Sequence, residues 1–344
     1  MATIRQLAEL AGVSTCTVSL ALRDHPRISP ATRQHVKDIA SMYHYQSNRL
    51  AHGAITGKSA TLGVVTGKIG APYYCHILQG IVEAAVAESY HVNILQSSGI
   101  VHMCRAIQAL VEQRVEGIFI VTSDFNLVPH DYMLMMRSNG VVPIGVGMVI
   151  TPQFTDVVTT NEAQAANTIT DYLYGLGHRE IAYMSVLSRA HPLDRAAAMR
   201  IALQQRHLST EHFIDLWESS TEEAFGLLVR KHAQVTAVIT MWDMIAAELL
   251  QSATRRGIRV PQDLSVVSCG NLYLSPYLTP PLTTIEQHPI EVGKRAVVLM
   301  MQRLAAGKPA AASPPPEILS CDVELIKRDS CAPPRKQSLL LSRT

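Results

Sequence analysis

Apolar and polar positions change rhythm twice along the chain. In the first 45 residues the apolar positions recur at helical spacing. Thr3 can cap a helix over roughly residues 4–10, with Leu7, Ala8 and Ala11 inward. Gly12 supplies a turn, and Ser14 can cap a second helix whose Val18, Ala21 and Leu22 face inward. Ser29-Pro30 opens a third, a cap followed by proline at the first helical position, with Val36, Ile39 and Ala40 behind it. Residues 44–59 (HYQSNRLAHGAITGKS) offer little to bury and read as linker or conditionally folded material. From Thr61 onward, short apolar runs predict strands at 61–66, 92–96, 117–122, 142–146, 180–186, 237–241 and 264–269. Helical stretches lie between most of them, at 76–89, 102–114, 162–176, 192–206, 221–232 and 243–256. Such alternation predicts doubly wound parallel sheets, and so many strands predict two lobes rather than one. A helix at 289–306 and one late strand at 317–327 would return the chain across both, before a proline- and charge-rich end expected to fray.

Charge adds a distinction that the net value of +2 conceals. Residues 1–58 hold seven basic side chains against three acidic ones, +4, so the remainder sums to −2. A small basic module on a mildly acidic body is the footprint of a polyanion-binding head. No apolar run reaches membrane-span length, and MATIRQLAEL lacks the architecture of a secretion signal, which predicts a cytoplasmic protein without a membrane partner. Six cysteines show no CxxC pair and no histidine cluster, so neither a disulfide framework nor a metal site is expected.

The chemistry concentrates in VSTCTVSLAL, residues 13–22. Two helices joined by Ala-Gly-Val-Ser form a helix-turn-helix, whose second helix needs small, hydroxylated outward residues to enter a DNA major groove. Thr15, Cys16, Thr17, Ser19 and Leu20 point away from Val18 and Leu22 and are the candidate base readers. The bland alternative is a three-helix cap with no ligand. Arg5, Arg23, Arg33, Asn48 and Arg49 are candidate backbone contacts. Leu20 has no polar group to offer guanine, and leucine could pack on a thymine methyl instead. Catalytic patterns fail: GAITGKS has His52 at the first glycine position of a phosphate loop, GVG at 145–147 lacks its third glycine, and no GxSxG or HExxH occurs. Neither an enzyme nor a cofactor is expected.

LAELAGVSTCTVSLAL, followed by RISPATRQHV and HYQSNRLA, closely resembles the LacI/GalR (lactose-repressor/galactose-repressor) family of transcription regulators. GVVTGKIGAPYYCHILQGIVEAA, LGHREIAYMS, GIRVPQDLSVVSCGN, LTPPLTTIEQ and ELIKRDS continue the likeness in the family's order. The resemblance implies an all-α helix-turn-helix head on an α/β core, two-lobed and periplasmic-binding-protein-like with doubly wound parallel sheets. It implies a homodimer on a pseudo-palindromic double-stranded DNA operator, with a small-molecule effector between the lobes. The expected domains are a head at 1–46, a hinge at 47–59, a core at 60–330 and a flexible tail at 331–344. Within the core, an N-lobe is expected at about 60–159 and 288–316, and a C-lobe at about 160–287 and 317–330. In the family the hinge folds on DNA and drives a leucine into the minor groove. The matching position here is Ala54, with Ile55 the nearest large apolar residue, which implies a shifted wedge or weaker bending.

Aligned with the family, the effector positions fall on Gly147, Arg195, Trp242 and Gly270, with Asp243 beside them and Tyr73 and Tyr74 lining the other lobe. Only the arginine keeps the family's residue type. The two glycines are expected to open volume and Trp242 to add a flat face. That suits a bulkier or flatter effector, a sugar stacked on Trp242 or an anionic metabolite held bidentately by Arg195. The rivals are a regulator whose cleft Trp242 plugs, sensing nothing, and a solute-binding transport protein with the same core.

Overall fold

The structure, a computed structural model, describes residues 2–45, 59–121, 128–147, 155–187, 195–217, 219–307 and 316–335. The chain divides into two units, Met1–Ser59 and Ala60–Thr344.

Local capping accounts for the first unit. In α1 (Ile4–Ala11) the Thr3 hydroxyl accepts from the Gln6 amide while the Gln6 side chain accepts from the Thr3 amide, a reciprocal cap. Gly12 closes α1 in the left-handed region at φ +64°, where a side chain would be strained. The Ser14 hydroxyl accepts from the Thr17 amide at 3.0 Å and starts α2 (Thr15–Ala21). Ser29 does the same for α3 (Pro30–Met42) through the Thr32 amide. Leu7, Ala8, Val18, Ala21, Val36 and Ala40 form the small core.

The second unit holds two six-stranded sheets. The first contains β1 (Thr61–Thr66), β2 (His91–Gln96), β3 (Gly117–Val121), β4 (Val142–Val146), β5 (Asp156–Thr160) and β11 (Ile318–Cys321), in the order β11-β5-β4-β3-β1-β2 and parallel throughout. Around it run α4 (Pro72–Ala87), α5 (Ile100–Glu112), α6 (His130–Ser138) and α11 (Pro289–Ala305). The second contains β6 (Ile181–Ser185), β7 (Phe213–Asp215), β8 (Ala237–Thr240), β9 (Ser265–Cys269), β10 (Thr283–Glu286) and β12 (Glu324–Ile326), in the order β12-β10-β9-β8-β6-β7. Only β12 runs antiparallel there. Helices α7 (Glu162–Leu176), α8 (Arg195–Gln204), α9 (Thr221–Lys231) and α10 (Asp243–Arg255) complete it. The chain passes between the sheets three times, at 160–162, 286–289 and 321–324. The first and third crossings are stitched together, since the Asn161 amide donates to the Cys321 carbonyl and the Val323 amide to the Gln164 side chain.

Two expectations change. The single late strand at 317–327 is two strands, one in each sheet, so residues 318–321 belong with the first lobe rather than the second. The tail does not fray from 331. Ala332 exchanges hydrogen bonds with the Ser265 hydroxyl, Ser330 pairs with Val266, and Arg335 lies 3.2 Å from Asp263. Backbone groups that find partners stay ordered whatever their composition.

His178 fastens that segment. One ring nitrogen lies 2.8 Å from the Thr236 hydroxyl, and the other 3.0 Å from the Ala332 carbonyl, which can only accept, so Nε2 carries the hydrogen. Burial pushes its pKa from 6.5 down to about 4. The unfolded chain then takes up the proton first, so this contribution to stability is full above about pH 6.5 and is lost as pH falls towards 4. Wild type is expected to lose about 3 kcal/mol more than His178→Gln between pH 7 and pH 4 in denaturant titrations. Parallel profiles would show that this ring is not the titrating group.

Candidate nucleic-acid interface and inter-lobe cleft

Helix α2 buries only Val18 and Ala21 fully. Thr15 and Cys16 are exposed, while Thr17, Ser19 and Leu20 are half-buried. The Thr17 hydroxyl shares a 2.9 Å hydrogen bond with Ser14, which leaves Thr15 the less committed hydroxyl of the pair. Leu20 lies outside the apolar core of the head, so packing does not explain it. An open concavity of about 490 Å³ borders the turn, lined by Arg5, Glu9, Gly12, Ser14 and Thr15 among others. Arg5 and Arg23 are exposed. Arg33, the third candidate backbone contact in the head, is engaged within it: its Nη1 donates to the Asp24 carbonyl at 3.1 Å, and the Asp24 carboxylate also takes Lys37 at 2.6 Å. That pairing holds the Asp24 carboxyl below its ordinary pKa. Asn48, Arg49, Ala54 and Ile55 lie outside the described residues.

In the core, the expected effector residues gather at the carboxyl ends of strands, where open α/β sheets bind ligands. Tyr73, in the first turn of α4, hydrogen-bonds Thr160 at the end of β5 at 2.9 Å and packs edge-on against Tyr74. Gly147 follows β4, Arg195 opens α8, Trp242 and Asp243 open α10, and Gly270 follows β9. The structure brings them to one region but changes the chemistry of four.

Arg195 is 3% exposed and its fork is already occupied. Nε and Nη2 donate to the two Glu162 carboxylate oxygens at 2.6 and 2.9 Å, and Nη1 to the Met241 carbonyl at 2.6 Å. The adjacent carboxylate raises the guanidinium pKa further. The bidentate seat expected for an effector anion is therefore filled from within the chain. Asp243 is fully buried and accepts from the Leu272 amide and from the Ser275 and Thr284 hydroxyls, so it holds the loop after β9 rather than facing a ligand. Both glycines have neighbours within contact distance of a β carbon. At Gly147 (φ +98°) a β carbon would stand 3.3 Å from Ile77 and 3.5 Å from the Tyr73 ring. At Gly270 (φ +136°) it would stand 3.7 Å from the Asp243 carboxylate. These glycines serve backbone conformations closed to other residues. Trp242 stays 42% exposed at the head of α10.

Sequence reasoning did not find Glu162 or Tyr183. Glu162 reads as an ordinary acidic residue in the first turn of a helix. Tyr183 reads as a strand residue, yet its fully buried hydroxyl sits beside that of Ser185 and within the field of Arg195. Desolvation drives that phenol pKa upward.

A capped helix-turn-helix on a basic head, with a two-sheet α/β core whose expected ligand residues gather at strand ends, defines a DNA-binding regulator with a ligand-binding type of core. Residues 3–48 match the family described as bacterial regulatory proteins, lacI family, and residues 170–331 match the periplasmic binding protein-like domain. The chain is 27% identical over 312 residues to the HTH-type transcriptional repressor PurR of Vibrio atlanticus (strain LGP32), covering 88% of this chain and 92% of that one. Its fold is that of the lac repressor dimer bound to operator and the anti-inducer ONPF, with TM-score 0.82, 24% identity and coverage of 96% and 99%. The CelR–cellobiose complex has the same fold, with TM-score 0.66, 24% identity and coverage of 96% and 100%. The chain thus carries a LacI-family DNA-binding domain followed by a periplasmic-binding-protein-like domain, the composition of a transcription regulator. Among the described residues no helix is long and apolar enough to cross a membrane, and no group of side chains could hold a metal ion.

Proposed function

We propose that the protein is a cytoplasmic, dimeric repressor that reads a pseudo-palindromic operator through Thr15, Cys16, Thr17, Ser19 and Leu20. Arg5 and Arg23 hold the DNA backbone, with Asn48, Arg49, Ala54 and Ile55 completing the contact. A small molecule in the cleft between Tyr73 and Trp242 sets its operator affinity. The reading rests above all on the exposed Thr15–Cys16 face of a helix whose opposite side alone is buried. Its relative PurR is a repressor, and the CelR structure holds cellobiose.

Fragments selected from genomic DNA should share a two-fold motif, and binding should weaken steeply with salt as phosphate contacts release counterions. Leu20→Arg should alter the preferred base at one symmetric pair of positions, with about 1–3 kcal/mol of discrimination. An unchanged motif would remove Leu20 from the readers, and salt-insensitive retention without any shared motif would overturn the reading.

A second reading has its own support. With the Arg195 fork filled, Asp243 engaged and the space at Gly147 taken by tyrosines, the cleft is partly self-occupied. A regulator that senses no small molecule would look the same. Thermal-shift screening of a broad metabolite library separates the two, since silence throughout favours the occupied cleft.

A further inference from the structure

We infer that His212 and His232 form a pH-sensitive joint with room for one hydrogen. It holds the end of α9 against the edge strand β7 and opens when weak acid charges both rings.

Geometry carries it. His212 stands directly before β7, at the edge of the second sheet, and His232 caps the end of α9. Their Nδ1 atoms lie 3.1 Å apart, with the rings edge to face at a centroid distance of 4.7 Å. His212 is 3% exposed, and its Nε2 faces the Glu180 carboxylate at 3.0 Å. A carboxylate accepts, so that Nε2 carries a hydrogen. In neutral His212 the Nδ1 is then a lone pair, and the hydrogen between the rings comes from His232. One further proton fits, because it can enter at the far nitrogen of His232 and leave the contact intact. A second does not. Both Nδ1 atoms would then carry hydrogens facing each other across 3.1 Å, on two cations that share one carboxylate.

Around the rings stand Glu180 ahead of β6, Glu211 ahead of β7 and Lys231 in the last turn of α9. Burial, the charge of His212 and Lys231 hold the His232 ring below the ordinary histidine value of 6.5, with Glu211 opposing them. The unfolded chain therefore takes up the proton first, so the joint contributes fully above about pH 6.5 and fails as pH falls. The His212 carbonyl is fixed to β6 by the Tyr183 amide at 2.9 Å, so the ring that gives way is His232, with the last turn of α9 behind it. The pair sits at the amino ends of β6 and β7, whereas the candidate effector residues that follow strands of this sheet lie at their carboxyl ends. It is a proton input separate from the cleft.

The test follows hydrogen exchange by mass spectrometry in the full chain at about pH 7.5 and about pH 5, with labelling times scaled to the intrinsic exchange rate. In wild type, residues 228–235 should lose protection at least tenfold on acidification, relative to the rest of the second lobe. His232→Gln, whose neutral amide can still donate to the His212 ring, should keep the same protection at both pH values. Level protection in wild type, or an equal loss in His232→Gln, overturns the joint. If His232→Gln folds too poorly to measure, wild type still decides. A loss confined to residues 228–235 and the neighbouring 211–213 supports the joint, and a loss spread evenly over the second lobe overturns it. Proton uptake by His178 is read apart, in the 330–335 segment that this ring fastens.

Discussion

Gly293→Ala is expected to destabilise the core by about 3 kcal/mol, with a lower urea midpoint at unchanged slope. A β carbon at Gly293 on α11 would fall 2.3 Å from the Ile77 carbonyl oxygen and 2.9 Å from the Ile81 nitrogen on α4. The approach is mutual, because a β carbon at Gly80 on α4 would fall 2.0 Å from the Ile290 carbonyl oxygen. All of these neighbours are backbone atoms, so no side chain can swing aside. The helices would have to part, loosening Ile77, Ile81, Val292 and Ala296, which pack between them and the first sheet. Crowding of this kind is costly because a packed interior cannot deform smoothly. An unchanged midpoint would mean that the two helices do not touch along this face.

Asp243→Ala is the second large effect, about 3 kcal/mol or more, because it strands three donors at once, two of them fully buried. The Leu272 amide at 2.8 Å, the Thr284 hydroxyl at 2.7 Å and the Ser275 hydroxyl all converge on this carboxylate. It therefore ties the first turn of α10 to the loop after β9 and to β10 across the sheet. Asp243→Asn keeps the size but turns one acceptor into a donor facing donors, so it should recover only part of the loss. Hydrogen exchange gives a local readout: the Leu272 amide should lose protection in both variants. Protection equal to wild type would show that the carboxylate does not anchor the loop.

Which features were legible in the sequence follows from how far apart their causes lie. The head was readable because Thr3, Ser14 and Ser29 act on amides three residues away, and a cap is visible in a short string. The long apolar strands were readable for the same reason. Helix α6 escaped because its buried face amounts to Met133 and Met136. Strand β7 has three residues, too few for a period to show, and the equally short β12 runs together with β11 in one apolar stretch. The cleft was legible as a location and not as chemistry. Arg195 was found, but the residue that occupies it lies 33 positions earlier and announces nothing by type. Gly147 and Gly270 misled in a particular way. A missing side chain suggests vacancy, whereas both backbones use the freedom of glycine at positive φ and neighbours already stand within contact distance.

The three crossings between the sheets have a mechanical consequence. Two bodies joined by one strand can tumble, but three short connections leave essentially one bending coordinate, with its axis through the straps. Here the straps at 160–162 and 321–324 are bonded to each other, so they flex as a single leaf. The Glu162–Arg195 pair begins where that leaf ends. A molecule seated beside it acts close to the fulcrum, where a displacement of a fraction of an ångström becomes a larger linear displacement at the far rim of each lobe. Sensitivity in such a lever comes from stiffness at the pivot, and a buried, doubly bonded ion pair supplies it.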